Sequence, residues 1–564
     1  MLHRHPITTG SFKYARGANV TLKELHHCSI RTNKLEETKS FYEHILGMRV
    51  GNRPPFPFPG YWLYVEGAPV VHLIGIDPND PSGLYEYLGG QKESLDSGTG
   101  PFDHVAFIIN DPDAMRERFA AGSIEFLERK VPDMDLEQFF LEDPNGITVE
   151  LNYISTDGPN VFDDSVTPQI KAAPTMRETI LGRAGDFAPV LKERSAAAEA
   201  AGRLSDETIA EFEEAQLWQV TQPKRVGGLE LEFSAMLETT AEIARSCGST
   251  GWIHSNLASH HWMIAMFPEQ AQNDVWGENP NTYTSTSLIY PAGKAKRVRN
   301  GYELTGRWPF CSGILHSDWI MLGGIVAGKT NKDPTEPRIF LLPKSEIKLI
   351  DNWDVTGLVA TGSVDSKVEK VFVPAHRTLA AADVCGGPTP GAEVNPSPLY
   401  QLPLAGLFPH LIAVPVTGMA RGVNDTCVET MRSRISTYDK SNVSAHSTSQ
   451  LRVSNAMAAA DMAMAVILHS CQEAETIAAL GEIPSIEAKM RWRRDAAFVT
   501  SNVVQYADQL CRSQGGGSIY KKNPLQQKYR DMRAGLTHIG VSNDINGVGY
   551  GRIALGFEPD NPMI

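Results

Sequence analysis

The chain has little cysteine, no excess of positive charge and no long apolar run. Seven cysteines are spread over 564 residues, from Cys28 to Cys511, without a C-x-x-C pair. That excludes a zinc ribbon and a disulfide scaffold, and fits a reducing cytoplasm. Lys plus Arg number 52 against 66 Asp plus Glu, a net charge of −14. An acidic chain repels phosphate backbones, so nucleic acid is excluded as a partner. No segment reaches the roughly 18 uninterrupted apolar residues of a membrane span. The most apolar stretch, Leu407 to Ala420, is broken by Pro409, His410 and Pro415. The N-terminus, MLHRHPITTG, lacks the apolar core of a signal peptide. No P-loop is present. The G-x-G-x-G run at Gly547, Gly549 and Gly551 has no strand before it and no helix after it in βαβ order, so no dinucleotide-binding unit is visible.

What is present is globular: 42% hydrophobic and 21% charged residues. The polar segment STDGPNVFDDSVTPQIKAAPT reads as a linker. Before it lies a small α+β unit. After it the pattern is helical, then strand-rich (DWIMLGGIV, RIFLLP), then helical again. The predicted divisions are 1–155, a linker over 156–175, helices over 176–280, a β-domain over 281–395 and helices over 396–564.

The first unit contains a repeat. LHHCSIRTNKLEETKSFYEHILG and FDHVAFIINDPDAMRERFAAG each place a His in a strand, followed by a polar turn and a helix. His27 aligns with His104. The first half later reaches His72 (72 − 27 = 45 residues on) and the second reaches Glu150 (150 − 104 = 46). Paired halves bring three imidazoles and one carboxylate to one centre, a donor set suited to Fe(II), Mn, Zn, Ni or Co. A single strand histidine is more often an ordinary packed side chain; four polar groups at repeat-related positions argue for a metal. His26 alternates to the other strand face.

Residues 22–154 resemble the vicinal oxygen chelate superfamily of glyoxalases and extradiol dioxygenases. The motifs H-H-C-S-I-R-T, F-Y-E-H-I-L-G, F-D-H-V-A-F and D-P-N-G-I-T-V-E-L carry the resemblance. It implies paired βαβββ modules around one divalent metal, Fe(II) first, held by His27, His104 and Glu150 with His72 as a fourth candidate. The ring-cleaving branch expects a Tyr where Phe140 stands and a His near Val131 to Asp133, where this chain has none. Glyoxalase-like or epimerase-like chemistry, or ligand binding alone, stays open beside ring cleavage.

Residues from about 176 to 560 resemble the acyl-CoA dehydrogenase fold, in its flavin monooxygenase branch. The carrying motifs, in order, are G-S-T-G-W, H-H-W, S-T-S-L-I-Y-P-A-G, G-R-W-P-F-C-S-G, G-M-A-R-G and a G-G-G turn followed by R-D and His538. The resemblance implies a helical N-terminal part, a central β-domain, a C-terminal four-helix bundle and a homotetramer or homodimer. The dehydrogenases commonly carry a catalytic Glu just after R-D, but MRAGLTHIGVSN has no carboxylate and offers His538 instead. The implied activity is hydroxylation of a phenol by O2 through a flavin C4a-hydroperoxide, with FMNH2 or FADH2 delivered by a separate NAD(P)H-dependent reductase. The implied flavin contacts are Ser285, Thr286, Ser287, Trp308, Ser312, Gly313, Gly515 and Gly516. Ser312 falls near flavin N5, and His261 and His538 lie on the substrate side. The competing expectation is a flavin oxidase or dehydrogenase with a non-catalytic N-terminal domain.

Overall fold

A computed structural model describes residues 22–558, except 77–101, 123–125, 131–135, 143–147, 155–174, 331–333 and the short gaps at 33, 45–47, 55, 57, 66–67, 110 and 329. The predicted linker and the segment Val131 to Asp133 therefore lie outside the described residues, apart from Thr175. The chain divides into two compact units, residues 1–173 and 174–564.

In the first unit, β1 (Leu22–Thr32), α1 (Leu35–His44), β2 (Arg49–Gly51), β3 (Gly60–Val65) and β4 (Ala68–Gly75) form one module. β5 (Phe102–Ile109), α2 (Pro112–Gly122), β6 (Leu127–Lys130), β7 (Leu136–Glu142) and β8 (Thr148–Ile154) form the second. The sheet order is β2-β3-β4-β1-β5-β8-β7-β6, which reads as one module followed by its mirror. Within each module the first and last strands pair in parallel, and β1 joins β5 antiparallel across the middle. A parallel pair cannot be closed by a tight turn, which is why each module needs a helix and two further strands between its partners. The repeat seen in the sequence is this duplication.

The second unit begins with α3 (Met176–Asp186), whose Thr175 and Glu178 form a capping box, and α4 (Ala188–Ala201). α5 (Asp206–Glu214), α6 (Phe233–Ser246), α7 (Gly248–Ile264) and α8 (Glu269–Trp276) follow. The strands that follow are β9 (Thr284–Ser287), β10 (Gly293–Val298), β11 (Gly301–Trp308), β12 (Trp319–Val326), β13 (Glu336–Pro343), β14 (Lys348–Ile350), β15 (Asp365–Pro374) and β16 (Thr378–Ala380). The second sheet has the order β14-β15-β11-β10-β12-β13-β16, with β9 on β12. The chain ends in α9 (Leu404–Ser433), α10 (Ser447–Ala479), α11 (Ile486–Arg512), α12 (Pro524–Leu536) and α13 (Asn543–Ala554). Five α-helices therefore follow the second sheet among the described residues.

The two prolines that broke the apolar run both sit inside α9. Each removes an N–H and orphans the carbonyl four residues earlier. Side chains from other helices satisfy both: Ser255 Oγ donates to Leu411 O at 2.6 Å, and Arg493 donates to Ala405 O. α9 and α10 are long and apolar enough to cross a membrane by length and composition, although neither holds an uninterrupted apolar run of that length. α9 is mostly buried within the fold, whereas α10 exposes Leu451, Met457 and Met462.

Candidate active sites

The register of the first sheet brings the repeat-related residues together. His27 lies opposite Ala106 on β5, and Ala106 opposite Glu150 on β8, so the three share one row. His104 lies opposite Ser29, which itself pairs with His72 on β4. The methyl of Ala106 leaves space between its bulkier neighbours. Into that space point His27 Nε2, His104 Nε2 and Glu150 Oε2. The nitrogens are 3.0 Å apart, and the carboxylate oxygen is 2.7 Å from His104 and 3.7 Å from His27. All three residues are buried. Two ligand nitrogens about 3 Å apart is the spacing that metal–nitrogen bonds of about 2 Å produce at neighbouring coordination positions.

Neighbouring side chains prepare these atoms. Asn152 Nδ2 can only donate, so His26 Nδ1, 3.2 Å away, accepts. The proton in the 2.8 Å contact between the two Nδ1 atoms therefore belongs to His27, whose Nε2 is left with a lone pair facing the centre. Gln138 Nε2 donates to Glu150 Oε1 at 2.5 Å and to Asn152 Oδ1 at 3.0 Å, and Gln138 Oε1 accepts from Arg129 at 2.8 Å. One carboxylate oxygen is thus held and the other faces the histidines. Burial pushes the His27 imidazole down to about 3, so it is neutral at pH 7. Burial alone would raise the Glu150 carboxyl, but His104 and His27 outweigh it and hold it at about 2. A neutral imidazole at His27 and an ionised carboxylate at Glu150 are the forms that bind a cation.

His72 stands apart from the three. Its ring stacks on His27 at 3.8 Å and on Trp62 at 4.1 Å, and its buried Nε2 has no hydrogen-bond partner among the described residues. Burial holds it well below the usual histidine range. Phe140, paired with Glu150 across β7 and β8, puts its ring 6.3 Å from that of His104. The centre opens into a cleft walled by Phe56, Phe58 and Trp62, with Arg53 at its edge.

In the second unit the turn after β11 carries Ser312, buried against α7. Trp252 Nε1 donates to Ser312 Oγ at 3.1 Å. Ser312 Oγ meets Ser363 Oγ at 2.9 Å, Ser363 meets Thr361 Oγ1 at 2.7 Å, and Thr361 donates to Leu358 O at 2.7 Å. Ser285 and Ser287 brace the turn by donating to Ser312 O and Pro309 O, while Thr286 donates to Met321 O. Gly313 has φ +74°, and a Cβ there would press on Leu257. The ring of His538 lies 5.9 Å from those of Trp252 and Phe408. Its Nδ1 accepts from Gly540 N–H, which leaves the proton on Nε2. Burial lowers it to about 4, so His538 presents a neutral N–H donor rather than a free base.

Four further residues expected at the flavin or substrate, Trp308, His261, Gly515 and Gly516, make no contact with the Ser312 cluster among the described contacts. Trp308 is fully buried in the core of the second sheet with its indole N–H on Gly323 O. His261 is nine residues from Trp252, half a turn round the helix at 100° per residue. It packs against Trp276 and Tyr283 instead, with burial lowering it to about 3. Gly515, with φ +72°, abuts Arg434, and Gly516 borders open space; neither is near Ser312 among the described contacts. Conversely, Thr361 and Ser363 join the Ser312 cluster without any motif to mark them, and Trp252 does so although its sequence context reads as core.

Comparison with known proteins gives three family matches. Residues 24–151 match the Glyoxalase/Bleomycin resistance protein/Dioxygenase superfamily. Residues 180–278 and 410–543 match the N-terminal and C-terminal domains of acyl-CoA dehydrogenase. The chain is 31% identical over 379 residues to the oxygenase subunit HsaA of a flavin-dependent monooxygenase from Rhodococcus jostii (strain RHA1), covering 67% of this chain and 98% of the relative. It is 31% identical to the oxygenase component of an FADH2-dependent resorcinol hydroxylase from Rhizobium sp. (strain MTP-10005), over 67% and 95% of the two chains. The crystal structure of 3-HSA hydroxylase from Rhodococcus sp. RHA1 aligns with a TM-score of 0.64 at 31% identity, over 68% and 99% of the two chains. XiaF from Streptomyces sp., solved with FADH2 and glycerol, aligns with a TM-score of 0.63 at 25% identity, over 69% and 98%.

Proposed function

This chain belongs to the oxygenase components of flavin-dependent aromatic monooxygenases and carries an N-terminal domain of the glyoxalase/dioxygenase superfamily; from that premise we propose that its two centres act in turn on one aromatic ring. A separate NAD(P)H-dependent reductase delivers FMNH2 or FADH2 to the second unit. The reduced flavin supplies the electrons that activate O2, and a phenol takes one oxygen atom. Ser312 is the residue we assign to flavin N5, with Ser285, Thr286, Ser287 and Gly313 shaping the adjoining wall. His538 donates its Nε2–H to an oxygen of the substrate or of the reacting O2. The buried Trp252, Ile253 and Leu257 exclude water, which otherwise diverts the reaction to hydrogen peroxide. A dehydrogenase reading is not favoured: the relatives are monooxygenases, and the carboxylate nearest His538 in sequence on its N-terminal side, Asp531, is buried and committed to Leu358 N–H at 2.6 Å.

His27, His104 and Glu150 would hold a divalent metal, Fe(II) first with Mn, Zn, Ni or Co as alternatives, which would supply a Lewis-acid site for the oxygens of the hydroxylated product. The single observation that carries this step is the convergence of those three atoms at the floor of an aromatic-walled cleft. The unpartnered Nε2 of His72 fits a fourth ligand after a ring rotation. Metal analysis of the full chain and of His27→Ala and Glu150→Ala tests the assignment. Loss of bound metal from both variants is the expected result, and unchanged content refutes it. We propose a homotetramer or homodimer assembled through the exposed apolar residues of α10 and α13, among them Leu451, Met462, Ile545 and Val548. Sedimentation velocity tests it, and a monomer at micromolar concentration contradicts it.

A further inference from the structure

The hydroxyl chain at Ser312 has a fixed direction. A hydroxyl has one proton to donate, an indole N–H can only donate, and a carbonyl oxygen can only accept. Thr361 spends its proton on Leu358 O. The contact between Thr361 and Ser363 then requires Ser363 to donate, and the contact between Ser363 and Ser312 requires Ser312 to donate. At the other end, Trp252 donates into Ser312 Oγ. The carbonyl end therefore sets the polarity, and the Trp252 donor is compatible with it: Trp252 N–H to Ser312 to Ser363 to Thr361 to Leu358 C=O. Ser312, Ser363 and Thr361 are all buried, so water does not readily relieve the constraint. Ser312 is left with acceptor capacity and no proton to offer.

Flavin N5 changes sign with oxidation state. In reduced flavin it bears a hydrogen and donates; in oxidised flavin it is a bare acceptor. We propose that Ser363 and Thr361 are positioning residues that lock Ser312 as an acceptor, and that this lock makes the site select reduced over oxidised flavin. The inference rests on the assignment of Ser312 to N5 made above. It explains how an oxygenase fed by a separate reductase takes up reduced flavin and lets go of the spent form: after oxidation, two acceptors face each other at N5.

The test is equilibrium binding rather than turnover. Dissociation constants of the full chain for reduced FMN and FAD, titrated anaerobically, and for the oxidised forms are compared in wild type, Ser363→Ala, Ser363→Thr and Ser312→Ala. Removing the Ser363 hydroxyl frees the Ser312 proton to turn toward an acceptor. The reduced-over-oxidised preference is expected to fall by about tenfold in Ser363→Ala, the scale of one hydrogen bond, mainly through tighter oxidised binding. Ser363→Thr restores the acceptor and the preference. Trp252→Phe leaves the carbonyl end of the chain in place and keeps the preference, which separates the lock from general disturbance of the pocket. A preference unchanged in Ser363→Ala but lost in Ser312→Ala overturns the lock and leaves Ser312 at N5. Constants unchanged in Ser312→Ala overturn the placement of Ser312 and the lock with it.

Discussion

Substituting Gln138 with Leu weakens metal binding without touching a metal ligand. Gln138 is buried, and its amide nitrogen ties down Glu150 Oε1 at 2.5 Å while its carbonyl rests on Arg129. Leu has similar length and no donor. The loss is one hydrogen bond to an ionised carboxylate, about 1.5–3 kcal/mol. Part of it falls on folding and part on metal affinity, because an untethered Glu150 must be reordered before Oε2 can face the histidines. Removal of a partner behind a ligand commonly costs about 10–100-fold in affinity, which is the range expected here. Competition with a chromophoric chelator, using Zn as a redox-silent probe and then Fe(II) under nitrogen, measures it directly. Glu150→Gln on the same assay sets the larger loss that a ligand itself produces. A folded Gln138→Leu protein with affinity within twofold of wild type refutes the reasoning, since Glu150 would then need no support.

Burial raises the Asp531 carboxyl to about 7 from an ordinary 3.8. The folded state thus holds this proton more tightly than the unfolded one. Its contribution is fully present below pH ~4 and lost as pH rises to ~7, by up to about 4 kcal/mol. Asp531→Asn flattens that slope relative to wild type in thermal melts at pH 5 and pH 8, and parallel slopes contradict the burial argument. His538 acts as a donor, so His538→Gln retains much of the hydroxylation that His538→Leu loses by about a hundredfold; equal losses point to a base instead. Because the His538 imidazole is held down at about 4, product formation shows no histidine limb between pH 6 and 8. Trp308→Ala costs about 3–5 kcal/mol of stability by opening a core cavity, whereas Trp308→Phe leaves flavin affinity near wild type.

The first unit was legible because its chemistry is written twice. A duplication leaves near-equal spacings in the sequence, here 45 and 46 residues, and on paired modules these put His27, His104 and Glu150 in adjacent rows of one sheet. The hydrogen bonds that prepare them are less visible: Gln138 and Asn152 sit among ordinary alternating strand residues. In the second unit one motif spans two environments. Trp308 and Ser312 belong to one string, G-R-W-P-F-C-S-G, but Trp308 closes a strand and faces the core, while Ser312 lies beyond the turn. His261 shares a helix with Trp252 yet leaves it half a turn away. The hydroxyl chain joins positions 252, 312, 361 and 363, which only tertiary structure brings together, so no local period announces it.

Whether the two centres act in turn is tested most directly by the product profile of the metal-loaded full chain, supplied with reduced flavin, O2 and a panel of phenols, beside that of Glu150→Gln. The account predicts that both proteins insert one oxygen into the same phenol, and that only Glu150→Gln lets the hydroxylated ring accumulate. Identical profiles, with the hydroxylated phenol as the end product of both, would contradict it.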